Sequence, residues 1–67
     1  MGTTSATAAE LSAAADVIAG YRQRVADLAS RHLGQDCDDL VTTIYEAERA
    51  LQIAERALLR AQRVARG

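Results

Sequence analysis

Apolar residues recur every seven positions along both halves of the chain. In the first half Leu11, Ile18 and Val25, with His32 continuing the spacing, form one series, and Ala14, Tyr21 and Leu28 run between them. In the second half Cys37, Ile44, Leu51, Leu58 and Ala65 form the matching series, interleaved with Leu40, Ala47, Ala54 and Ala61. A sustained a/d seam of this kind predicts two amphipathic helices that bury their stripes against each other.

The residues between the seams set the topology. Thr7 and Glu10 have the spacing of a capping box, so helix 1 is expected over about residues 8–33. Residues 1–6 are small and polar and are expected to form a flexible segment ahead of it, leaving 7–67 as a single helical-hairpin domain. Gly34 can take the left-handed conformation that ends a helix. The turn is then 34–36, with Asp36 as the N-cap of helix 2. Asp38 and Asp39 suit the positive end of that helix, and Arg60, Arg63 and Arg66 suit its negative end near residue 65. So short a connection folds the helices back as an antiparallel hairpin, and the fold class is all-α. Pairing residues whose numbers sum to about 69 sets Val25 opposite Ile44, Ile18 opposite Leu51 and Leu11 opposite Leu58. It also sets Tyr21 opposite Ala47 and brings Arg22 beside Glu48.

One stripe per helix satisfies a hairpin, and helix 2 has more than one. Ala50, Ile53, Ala57 and Val64 form a second stripe, and Tyr45 and Leu59 are further apolar residues outside the seam. On helix 1, Gly20 sits in mid-helix, which a close-packed neighbour would explain. Charge is segregated as well: acids gather in the first half of helix 2 and arginines in the second. If two copies of helix 2 cross antiparallel near Ile53, Ala50 meets Ala57 and Glu46 meets Arg60. That is the self-complementarity an isologous contact requires. The expectation is a homodimer that forms a four-helix bundle, with Tyr45, Glu46, Ala50, Ile53, Ala57, Leu59, Arg60 and Val64 as its partner or oligomer interface.

Size and composition point the same way. A chain of 67 residues is marginal as a lone domain. Its single cysteine excludes an internal disulfide, which leaves a partner as the source of further burial. All eight basic residues are arginine and alanine is abundant, as in a high-GC bacterial proteome. A net charge of −1 gives no bulk attraction to nucleic acid or anionic membrane. The N-terminal stretch has no basic n-region and is interrupted by Glu10 and Asp16, unlike a signal peptide. No window has the length and apolarity of a membrane span. The expected location is cytoplasmic.

No catalytic constellation emerges, and the chain is expected not to be an enzyme and to carry no cofactor. Bundle carboxylate sites need Glu-x-x-His motifs, and the one histidine lies at the turn. His32 and Cys37 meet across that turn but are too few to complete a zinc site, so a metal or redox module there is a minor alternative. Arg49, Arg56 and Arg63 recur every seven residues, an arginine line that offers a second alternative: a transcription-related or nucleic-acid-associated factor. With two aromatic residues in the chain, both tyrosines, base stacking is poorly supported. The main expectation is a small adaptor, regulator or accessory subunit that binds protein through its helical faces. The hairpin is similar in architecture to the small WXG-type helical hairpins. Their Trp-x-Gly turn is replaced here by Leu33-Gly34-Gln35-Asp36, and Tyr45 is followed by Arg49 where their secretion signature has an acid.

Overall fold

The computed structural model describes residues 2–67; Met1, part of the segment expected to be flexible, lies outside them. The described residues form two helices, α1 (Gly2–His32) and α2 (Asp38–Arg66), packed along each other, with no strand among them. The hairpin is a rod of 54 × 14 × 10 Å. Its radius of gyration is 15.5 Å, against about 11 Å for a compact domain of this length.

α1 begins at Gly2 rather than near Ala8, so most of the segment expected ahead of the helix belongs to it. Thr7 is therefore an interior residue and not an N-cap. The physical reason lies at the open end of the hairpin. α2 continues to Arg66, and its last turns give the first turns of α1 a surface to pack on. Ala8 is buried there, and Ala65 is half-buried. Residues 2–6 contain no proline to stop the helix from propagating.

At the turn, Gly34 has φ +80°, the left-handed conformation its sequence position predicts. Leu33 N–H donates to Ser30 O and Gln35 N–H to His32 O, closing the last turn of α1. The N-cap of α2 is Cys37, not Asp36, and it makes no side-chain capping bond. Val41 N–H donates to Cys37 O at 3.0 Å, so the helix starts one residue later than the carboxylate would have set it. Asp38 and Asp39 fall in the first turn and Arg63 and Arg66 in the last, both with the sign the helix dipole favours.

The seam differs from the expected one in one of its two columns. On both helices the a series faces inward: Leu11, Ile18, Val25 and His32 on α1, and Cys37, Ile44, Leu51, Leu58 and Ala65 on α2, are all half-buried. The second inward column lies at the e positions, four residues on in the heptad, and not at d. On α1 it reads Ala8, Ala15, Arg22 and Ala29, and the three alanines are the most buried of the described residues, with Ala29 fully enclosed. On α2 it reads Val41, Glu48, Glu55 and Gln62, all half-buried. The expected d-series residues Tyr21, Leu28, Leu40, Ala47, Ala54 and Ala61 are exposed instead, and Ala14 is half-buried.

The choice follows from side-chain volume. A column of alanines lets the two backbones approach closely, whereas Tyr21 and Leu28 in the same place would hold them apart. Glu48, Glu55 and Gln62 hold the matching column of α2 half-buried, positions where a long stem can lie along apolar surface and keep its polar end accessible to a partner or to water. Arg22 interrupts the alanine column and donates from Nε to Glu55 Oε1 at 2.9 Å, a half-buried pair that ties the helices together. The expected partner was Glu48, one heptad nearer the turn. Side chains on a helix lean toward its N-terminus. In an antiparallel pair Arg22 therefore leans toward higher numbers on α2 and Glu55 leans back to meet it.

Candidate functional surface

This seam leaves the hairpin thinly cored. No side chain larger than alanine is buried among the described residues, and α2 has no buried residue at all. A folded monomer of 7.2 kDa exposes about 4,100 Å². This chain exposes 5019 Å². The excess of about 900 Å² is close to the roughly 800 Å² that each partner contributes to a standard interface.

The exposed apolar residues are organised. In an antiparallel pair the same heptad position on each helix falls on the same side of the plane through the two axes. The open groove of 680 Å³ at the free end illustrates one side: Ser12 of α1 and Arg66 of α2, both one residue after an a position, line it together with Ala8, Gln62 and Ala65. The d positions of both helices therefore share the opposite side. There Tyr21 and Leu28 of α1 stand beside Leu40, Ala47, Ala54 and Ala61 of α2, all exposed. The adjoining g positions Val17, Ala50, Ala57 and Val64 widen the same surface, with Val64 80% exposed. Arg24 lies over the Tyr21 ring, its guanidinium carbon 5.3 Å from the centroid, a cation–π contact that helps fix the ring on this face.

All eight residues singled out from the sequence as an interface are exposed: Tyr45, Glu46, Ala50, Ile53, Ala57, Leu59, Arg60 and Val64. They do not form one patch. Ala50, Ala57 and Val64 belong to the d/g surface. Ile53, 60% exposed, stands at its rim with Glu46 and Arg60. Tyr45 and Leu59 occupy b positions and face the other side of the hairpin. On α1, Val17, Tyr21 and Leu28 add to the d/g surface; Tyr21 and Leu28 are the two whose spacing predicts an interior place. The mid-helix Gly20 has no close neighbour either: a Cβ there would meet nothing within 4 Å.

The turn offers little chemistry. His32 Nδ1 lies 3.2 Å from Gln35 Oε1, and Gln35 Nε2 donates to Arg31 O at 3.1 Å, so the histidine is engaged in holding the turn. Cys37 is a half-buried free thiol. Among the described residues no three His, Cys, Asp or Glu side chains gather as metal ligands. Arg49, Arg56 and Arg63 are exposed along α2, as their spacing predicts. No helix of the described residues is long and apolar enough to cross a membrane.

The fold defines the class as a two-helix antiparallel hairpin. No family model matches the chain, and comparison with curated proteins and with solved structures finds no significant match.

Proposed function

We propose that the protein is a non-catalytic binding module, a small adaptor, regulator or accessory subunit that assembles as a homodimeric four-helix bundle and acts through its helical faces. The observation that carries this reading is the apolar d/g surface shared by both helices on a hairpin whose described residues bury nothing larger than alanine. Apolar residues gathered on one exposed face, rather than scattered singly, are the usual mark of an interaction surface. The excess accessible area matches what one partner gives to a stable interface.

Sedimentation equilibrium tests it. Wild-type protein should sediment at twice its 7.2 kDa chain mass. Ile53→Glu and Leu28→Glu each place an unpaired carboxylate on or beside the face and should shift the mass toward the monomer. An unchanged dimer mass in both variants, or a monomeric wild type, contradicts the reading.

The exposed line of Arg49, Arg56 and Arg63 supports a second reading, a nucleic-acid-associated factor. Salt-dependent binding to duplex DNA that is lost in Arg56→Glu would favour it over a purely protein-binding role.

A further inference from the structure

Resting on the reading of the chain as a self-assembling module, we propose which face mates and how. The second copy covers the d/g surface of both helices in an antiparallel arrangement, α1 on α1 and α2 on α2. One two-fold axis passes at the level of Val17 and Ile53.

The placement comes from three independent features. First, Val17 and Ile53 each lie eighteen residues from Gln35 at the turn, so an antiparallel hairpin brings them to one height. A single axis can therefore serve both helices. Second, charges at the rim pair about that axis. On α2, Glu46 and Arg60 stand seven residues either side of Ile53, so each meets its opposite in the copy. On α1, Glu10 and Arg24 stand seven residues either side of Val17 and do the same. All four residues are exposed, and among the described residues neither Glu10 nor Glu46 forms an ion pair within its own chain.

Third, side-chain volume selects the antiparallel arrangement over a parallel one. The large residues of the face, Tyr21, Leu28 and Leu40, lie in the half nearer the turn, and the opposite half is mostly small. Reversing the copy sets Tyr21 over Ala14 and Leu28 over Thr7. Ala50 then faces Ala57, where two helices can approach closely. A parallel copy would instead crowd Leu28 and Leu40 at one end and leave alanines apart at the other, against the even packing that interiors adopt.

The native Cys37 makes the arrangement measurable, because it marks the turn end of each copy. With the axis at Ile53, the two thiols lie about 48 Å apart along the bundle, from the 1.5 Å rise per residue. Spin labels on Cys37, read by pulsed dipolar spectroscopy, should give a distance distribution centred near that value. A distribution centred below about 25 Å, the width of a bundle with helices 8–10 Å apart, overturns the antiparallel arrangement while leaving self-assembly intact. Absence of any dipolar signal, with a monomeric mass, overturns both.

A charge swap gives a second readout without a label. Glu10→Arg alone should weaken dimerisation several-fold, since the altered contact occurs twice by symmetry. Adding Arg24→Glu should restore it, because the antiparallel contact is made between these two positions. In a parallel copy Glu10 would meet Arg60 and Arg24 would meet Glu46, so the double variant would be weaker than the single one. That outcome overturns the proposal.

Discussion

Ala29 is the tightest point of the hairpin, with no solvent-accessible surface, and replacing it by leucine tests the alanine seam directly. The substitution adds three carbons where α2 lies against α1. If room existed, each buried carbon would contribute about 0.8 kcal/mol of stabilisation. There is none, so the helices must separate or the side chain must leave its rotamer, and overpacking of this kind costs about 1–3 kcal/mol. The expected total for a chain this size is roughly 3–10 kcal/mol, so the loss is a large fraction of it. At about 4–8 °C per kcal/mol for a small domain, Tm should fall by roughly 5–20 °C. The assay is thermal unfolding followed by circular dichroism at 222 nm, at one fixed protein concentration. Ala13→Leu is the control: Ala13 is exposed on the same helix, and its variant should stay within about 0.5 kcal/mol of the parent. If the seam were built on d positions, residue 29 would lie on its flank and would accept leucine freely. An Ala29→Leu protein that melts with the Ala13→Leu control refutes the close-packed alanine column.

Substitutions at three further positions probe separate parts of the structure, each read by urea or thermal unfolding. Gly34→Ala forces a Cβ into a left-handed conformation at φ +80° and should cost about 1–2 kcal/mol; an unchanged midpoint would mean the turn readily takes another path. Glu55→Ala removes the carboxylate that Arg22 reaches across the seam and should cost about 1–2 kcal/mol, between the range for exposed ion pairs and that for charged hydrogen bonds. Glu55→Gln, which keeps an acceptor, should lose less, and equal losses would show that packing and not the bond is at stake. Gly20→Ala fills open space in mid-helix and should stabilise by about 0.5–1 kcal/mol; a loss would reveal a neighbour on that side of α1.

The a series, the antiparallel turn and the glycine that makes it were legible because each rests on local chemistry. Seven-residue spacing marks the inward face, and Gly34 sits where a left-handed residue is needed. The second column was not legible. Positions d and e flank a on opposite sides, and both hold residues that a seam accepts. Tyr21 and Leu28 look like core residues by hydrophobicity alone. The alanines at 8, 15 and 29 win because close approach of two helices rewards small volume, a property of the pair that neither helix shows by itself. The start of α1 was misplaced for a similar reason: Thr7 and Glu10 form a good local cap, but packing against the end of α2 extends the helix past it. Of the candidate surface, the α2 stripe with Ala50, Ala57 and Val64 was visible as an excess of apolar positions. The α1 half was hidden by the assignment of its tyrosine and leucine to the interior.

The central claim is that the hairpin is incomplete alone and that a second copy supplies the missing burial. The dependence of Tm on protein concentration tests this most directly, because association coupled to folding makes stability a function of concentration. Over about a hundredfold concentration range, a dimer gains roughly 2.7 kcal/mol by mass action, so Tm should climb by on the order of 10 °C or more. A Tm that is the same at both ends of the range would show a self-sufficient monomeric hairpin and contradict the account.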